Sequence, residues 1–113
     1  MAGTGSLQTY KQGDTLPAFR AQLRDVVNGV EVAKDLTLAT SAKLLLRGPA
    51  TLSAALTIEA PPTGGWVNRP WGVNDLATIG NYDVEVEVTW SGGGKQTFPP
   101  HGYGLIVVTD DLG

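Results

Sequence analysis

From Tyr82 to Trp90 the chain alternates without a break. Tyr82, Val84, Val86, Val88 and Trp90 fall on one side of an extended backbone, and Asp83, Glu85, Glu87 and Thr89 on the other. Side chains of a β-strand point alternately to opposite faces, so this pattern describes a strand with one buried and one solvated face. A helical period would scatter the same apolar residues around the cylinder and leave no single face to bury. Each of these apolar side chains contributes about 1.5–3 kcal/mol on burial, before entropy is subtracted. Together they match the net stability of a small domain, roughly 5–15 kcal/mol. The rest of the chain is therefore expected to build a β core around this strand.

Shorter stretches repeat the theme. Phe19, Ala21 and Leu23 alternate with Arg20, Gln22 and Arg24, and the segment from Asp25 to Gly29 turns the chain so that Val30 to Val32 can return. Ala42 to Arg47, with Leu44, Leu45 and Leu46 in a row, reads as an inner strand buried on both faces. Leu52, Ala54, Leu56 and Ile58 alternate until Ala60-Pro61-Pro62-Thr63-Gly64-Gly65 stops them. Ser91-Gly92-Gly93-Gly94 makes a hairpin loop, Lys95 to Phe98 pairs back, Pro99-Pro100 breaks the edge, and Tyr103 to Thr109 forms a last strand. Glycine and proline together make 15 + 7 = 22 of 113 residues, which favours many turns and leaves little room for long helices. Asp75 to Ile79 has room for one helical turn. Seven or eight strands at this spacing predict an all-β fold, a two-sheet antiparallel immunoglobulin-like β-sandwich. It fills one domain over residues 1–113, with an N-terminal arm at 1–7 and a short tail at 110–113.

Charge and composition narrow the function. Eight Lys and Arg against eleven Asp and Glu give a net charge of −3, so no sequence-independent hold on nucleic acid or an anionic membrane is expected. The absence of cysteine excludes disulfides, thiol nucleophiles and thiolate-bound zinc. Met1 to Ser6 lacks the basic and apolar regions of a signal peptide, and synthesis in a cytoplasm is expected.

No enzyme is expected, and no cofactor or metal. The single histidine, His101, lies in Pro99-Pro100-His101-Gly102-Tyr103 with no Ser or Asp at motif spacing to complete a triad; a loop or interface role is the ordinary reading. Gly92-Gly93-Gly94-Lys95 looks like a phosphate-cradling loop, but Gln96 stands where Ser or Thr is required and a strand follows instead of a helix. Asp83, Glu85 and Glu87 are spaced along one strand face and do not converge on one ion, so a solvated face opposite basic residues is expected. Asp110-Asp111 reads as a charged tail.

Trp66 and Trp71 flank Arg69 in Gly64-Gly65-Trp66-Val67-Asn68-Arg69-Pro70-Trp71-Gly72, a stretch rich in turn residues that reads as a loop. Large aromatics on a loop plug the end of a sandwich, anchor a protein interface or stack on sugar rings. Arg69 would stack on a ring or pair with a partner's acid. Residues 1–47 carry six basic and four acidic groups and residues 48–113 two and seven, an asymmetry that suits head-to-tail or ring assembly.

Gly13-Asp14-Thr15-Leu16-Pro17 opening a strand, Leu23-Arg24-Asp25 with Asn28-Gly29, Asp35-Leu36-Thr37, Gly80-Asn81-Tyr82 and Phe98-Pro99 stand in an order and spacing of their own. Together they resemble the N-terminal immunoglobulin-like domain of phage baseplate upper proteins, across about residues 8 to 110, and related modules of phage virions. Asp14 and Asp35 suit backbone-amide acceptors, Pro17 fixes φ, Gly29 and Gly80 admit positive φ, and Tyr82 suits a buried ring whose hydroxyl ties down a loop. These are scaffold positions.

The resemblance implies a non-enzymatic structural protein of a tailed phage, on tail, baseplate, neck or capsid, made in the host cytoplasm and placed in the virion. In the family a helical stem and a receptor-related region follow this domain. This chain ends at Gly113, which favours a stand-alone accessory protein. Its partners would be other virion proteins or copies of itself. Contacts are expected at Trp66, Arg69, Trp71 and an arm from Gly3 to Tyr10 that includes Leu7 and adds a strand to a neighbour's sheet. The alternative is a carbohydrate-binding or adhesion module that uses the loop aromatics, with a glycan as ligand. Whatever the partner, Val86→Asp is expected to unfold the protein, and an unchanged thermal midpoint would refute the strand register.

Overall fold

The alternating stretch is the axis of the fold. A computed structural model describes residues 7–99 and 105–110, and Tyr82, Val84, Val86 and Val88 are buried in it along β8 (Gly80–Trp90). One edge of β8 pairs antiparallel with β5 (Ala39–Arg47), register Leu44 to Val86 and Leu46 to Val84. The other edge is shared: β10 (Leu105–Thr109) pairs with its start and β9 (Lys95–Phe98) with its end. Beyond β5 come β6 (Thr51–Ile58), β7 (Trp66–Arg69) and β2 (Phe19–Gln22), all antiparallel, and β1 (Leu7–Lys11) lies parallel to β10. The order is β1-β10-β8-β5-β6-β7-β2, with β9 beside β8.

This sheet curls until its two ends meet. The ring of Trp71 lies edge-on to Tyr10 of β1 at 5.4 Å and to Phe19 of β2 at 6.1 Å, between centroids. The space it closes holds Leu23, Leu36, Leu44, Leu46, Val67, Leu76, Val86, Val88, Phe98, Ile106 and Val108. The described residues are all-β apart from one short 3-10 turn at Pro62–Gly64. A separate two-stranded sheet, β3 (Arg24–Val27) with β4 (Val30–Ala33), stands outside the main order.

Close backbone approach sets the start of β8. Gly80 has φ 145°, and a Cβ there would overlap Cγ of Pro49 in the β5–β6 turn. One Cβ at Gly48 would likewise overlap the carbonyl oxygen of Asn81. Two residues on, Tyr82 buries its ring and its hydroxyl donates to the carbonyl of Thr78 at 2.6 Å, which fastens the loop that enters the strand.

Several expectations change. The segment from Trp66 to Arg69 is a strand between β2 and β6: alternate backbone pairing with both neighbours outweighs the glycine and proline that flank it. β5 is inner in the ladder but buries one face only, with Ala42, Leu44 and Leu46 inside, Leu45 half-buried and Lys43 and Arg47 exposed. Residues from Leu7 onward form a strand of the chain's own sheet where a free arm was expected. At Asp75 there is a hydrogen-bonded turn, its N–H donating to Gly72 O at 3.1 Å, and no helical turn. Residues 1–6 of the arm, Tyr103, His101 and residues 111–113 of the tail lie outside the described residues.

Truncating a buried aromatic costs about 3–5 kcal/mol, which for a domain of this size lowers the thermal midpoint by roughly 10 °C or more. Trp71→Ala should show that drop with the far-ultraviolet β signature retained at low temperature. An unchanged midpoint would mean that the indole does not hold the ends of the sheet together.

Candidate interaction surface

The structure separates the residues between the two tryptophans. β7 alternates, so Val67 points into the core while Trp66 and Asn68 point outward. Beside them on β2, Arg20 lies opposite Asn68 in register and its guanidinium sits 3.9 Å above the Trp66 ring. The same guanidinium donates twice to Glu59, Nε to Oε2 at 2.9 Å and Nη2 to Oε1 at 3.0 Å, and Asn68 Nδ2 donates to Glu59 at 2.8 Å. Arg20 and Asn68 hold the Glu59 carboxyl below its ordinary range. One face of Trp66 is thus covered, and the charges around it neutralise each other.

Arg69 and Trp71 turn the other way. Arg69 shares the inner side of β7, and its Nη2 donates to Asp75 Oδ2 at 2.6 Å. The same oxygen accepts the Gly72 N–H at 2.7 Å. The predicted partner for Arg69 is therefore supplied by its own chain. Trp71 is 3% exposed and Tyr10 equally so, because both rings are needed to join β1 to β2; of the three readings of Trp71, the plug is the one the packing realises. Leu7 opens β1 opposite Leu105.

The scaffold residues hold backbone. Asp14 accepts the Lys11 N–H at 2.9 Å, and Asp35 accepts the Thr37 N–H at 2.9 Å and its hydroxyl at 2.5 Å. Pro17 is exposed in the segment between β1 and β2. On the outer face of β8, Asp83 lies opposite Arg47 and Glu87 opposite Lys43.

Among the described residues Leu16, Leu38, Val73 and Ile79 are exposed singly on loops, and four more exposed apolar side chains share the β3–β4 hairpin. Asn28 at φ 53° and Gly29 at φ 78° form the two-residue turn that matches the twist of paired strands. Register places Val26 opposite Glu31, Val27 opposite Val30 and Asp25 opposite Val32, so one face carries Val27, Val30 and Val32 and the other Val26. Their exposures are 65% for Val26, 50% for Val27, 60% for Val30 and 40% for Val32. A two-stranded sheet has no second layer to cover either face, which is why β-branched residues that normally go inside stay wet here. Ion pairs brace its base, Arg24 to Glu31 at 3.3 Å and Lys34 to Asp25 at 3.1 Å. Lys34 Nζ also lies 5.3 Å from the Trp90 ring, in an open cleft of about 320 Å³ shared with Leu38.

The sequence carried a signal for this surface. Valines at 26, 27, 30 and 32 fall on both faces of an Asn-Gly hairpin, a pattern that cannot bury both sides in a sheet with one wet face. Among the described residues there is no cluster of three His, Cys, Asp or Glu able to hold a metal, and no helix long and apolar enough to cross a membrane. No protein-family model and no curated protein matches the sequence.

Asp75 gives this region a pH dependence. Burial pushes its pKa up, but the Arg69 guanidinium and the Gly72 N–H outweigh it and leave the carboxyl below the ordinary range. A carboxyl depressed in the folded state stabilises fully above its unfolded pKa, about 4, and that contribution is lost as pH falls through the folded value. Asp75→Asn should therefore melt below the wild type at neutral pH, and the gap should narrow as the pH falls below the ordinary carboxylate range. A gap independent of pH would remove the ion pair from the account.

Proposed function

We propose that this chain is a non-enzymatic structural component of a tailed-phage particle that works through protein–protein contacts, with the β3–β4 hairpin as its principal contact element. The observation that carries the reading is the exposure of four valines on a braced hairpin, on a body whose large aromatics are engaged within the chain. Contiguous exposed apolar patches mark protein or membrane interaction sites and ligand grooves.

The finer architecture in this reading is an immunoglobulin-like sandwich. In it β2, β7 and the end of β6 at Thr57 and Ile58 would make one layer, and β5, the rest of β6, β8, β9, β10 and β1 the other, with the continuous sheet folding over within β6. The hydroxyl of Tyr82 bonded to a carbonyl four residues upstream supports it, because such a tyrosine at a strand entry is a mark of those sandwiches. The resemblance to phage baseplate and virion modules rests on residues that here serve as scaffold, among them Asp14, Asp35, Gly80 and Tyr82. Partners are other virion proteins, and the final location is the virion after synthesis in the host cytoplasm. The glycan alternative loses Trp71, which is enclosed, and rests on Trp66, which is half-buried with Arg20 over its ring.

Gold labelling of a tagged copy on purified particles tests the proposal. Label over the head marks a capsid decoration protein; label on neck, tube or tip marks a tail component. Val27→Ser with Val30→Ser should cut incorporation several-fold while the thermal midpoint of the purified protein stays put. Particles without label, with the tag accessible, would sink the virion reading.

A further inference from the structure

We propose that the outer edge of β9 is a strand-addition site, where an extended segment of another polypeptide, apolar at alternate positions, pairs with the backbone of Lys95 and Thr97. The inference rests on reading the protein as a contact module and names the form its partner takes.

The parity of the β8–β9 hairpin decides which backbone groups face outward. The Trp90 N–H donates to Gly94 O at 2.7 Å, which makes Trp90 and Gly94 a hydrogen-bonded pair. In an antiparallel ladder, bonded pairs alternate with non-bonded ones. The register runs Thr89 to Lys95, Val88 to Gln96, Glu87 to Thr97 and Val86 to Phe98, so Gln96 and Phe98 bond to β8 while the backbone of Lys95 and Thr97 points away. The opposite edge of β8 agrees. There the Ser91 N–H donates to Leu38 O at 2.8 Å and the Thr89 carbonyl accepts the Thr40 hydroxyl at 3.1 Å, so odd-numbered residues face β5 and even-numbered ones face β9. Lys95 and Thr97 thus present two N–H donors and two carbonyl acceptors at an edge, and no described residue bonds to them.

An extended backbone meets such a row of groups in full, which is how sheet edges capture added strands. The row is bounded. Gly94 lies before it in the turn, and Pro99, which has no N–H, comes after Phe98, so the register of an added strand is confined to this window.

A place for side chains lies beside the edge. An open cleft of about 300 Å³ separates β9 from the β3–β4 hairpin, with Gln96, Phe98 and Pro99 on one wall and Arg24, Val26 and Glu31 on the other. Gln96 and Phe98 stand opposite Val88 and Val86 and so share the inner face of β9, whereas Lys95 and Thr97 carry their side chains on the outer face. A strand paired to β9 alternates in step with it, so every second side chain lies on the inner side and enters the cleft beside Val26 and Phe98. Charged groups at the cleft are paired within the chain, Arg24 with Glu31 at 3.3 Å and Asp25 with Lys34 at 3.1 Å, which favours an apolar side chain there.

Selection of displayed random twelve-residue peptides on the full chain tests this, with the enriched peptides resynthesised. They should be apolar at alternate positions. Binding should weaken about tenfold or more in Thr97→Pro, which removes an outward N–H and leaves the β8 ladder intact, and stay unchanged in Thr97→Ala, which keeps that N–H. Val26→Ser should weaken it several-fold. Hydrogen exchange at the Lys95 and Thr97 amides should be fast in the free chain and become slow with peptide bound. Melting curves check that Thr97→Pro folds; if it does not, exchange on the wild type decides. Peptides that bind Thr97→Pro as well as the wild type, or that leave both amides unprotected, would overturn the inference, as would a selection that enriches nothing. If such peptides were instead lost in Val27→Ser with Val30→Ser, the contact-module reading would stand with the hairpin valines as its surface. Absence of the protein from particles would remove the virion role separately.

Discussion

Trp71 is the contact on which the rest of the structure depends. Its ring meets Tyr10 and Phe19 on β1 and β2, the strands at the two ends of the sheet order, and so turns a curled sheet into an enclosure. Without that bridge the inner faces of β5, β7, β8 and β10 would share one open trough, and Leu44, Val67, Val86 and Ile106 would lose the enclosure in which they are fully buried. Arg69 and Asp75 pair across the segment that carries the indole, and the Asp75 carboxylate also fixes the backbone at Gly72, the residue after the ring. A polar pair thus fixes the backbone on either side of the plug.

The same economy decides what is left for partners. Arg20 and Glu59 settle each other's charge above Trp66, Arg69 settles with Asp75, and two of the three acids of β8, Asp83 and Glu87, stand across from Arg47 and Lys43. Exposed ion pairs contribute little to stability and serve mainly to pin side chains across the outer surface. Against it the hairpin valines stand out as apolar area with no layer over it. That contrast is what the proposed contact role rests on.

Much of the fold was legible in residue order. The alternation from Tyr82 to Trp90 located β8, the Asn-Gly turn located the hairpin, and the glycines after Trp90 located the β8–β9 loop. The misreadings share a cause. Trp66 to Arg69 looked like a loop because Gly64, Gly65 and Pro70 flank it, and only pairing to β2 and β6 at once makes it a strand. Three adjacent leucines in β5 suggested burial on both faces, whereas an antiparallel sheet with one wet face leaves the middle one half-exposed between Lys43 and Arg47.

Sequence by itself determined the class of structure and the strand faces, because a period of two is a property of the extended backbone and needs no partner to be read. It also established that the chain holds no cysteine and carries a net charge of −3. Only the tertiary structure decided which aromatic is core and which is surface. Trp66 and Trp71 are five residues apart in similar company, yet one lies on the outer face of β7 and the other follows the strand into the gap between β1 and β2. That choice depends on which strands come together across the fold, and such long-range pairings are not written in local spacing.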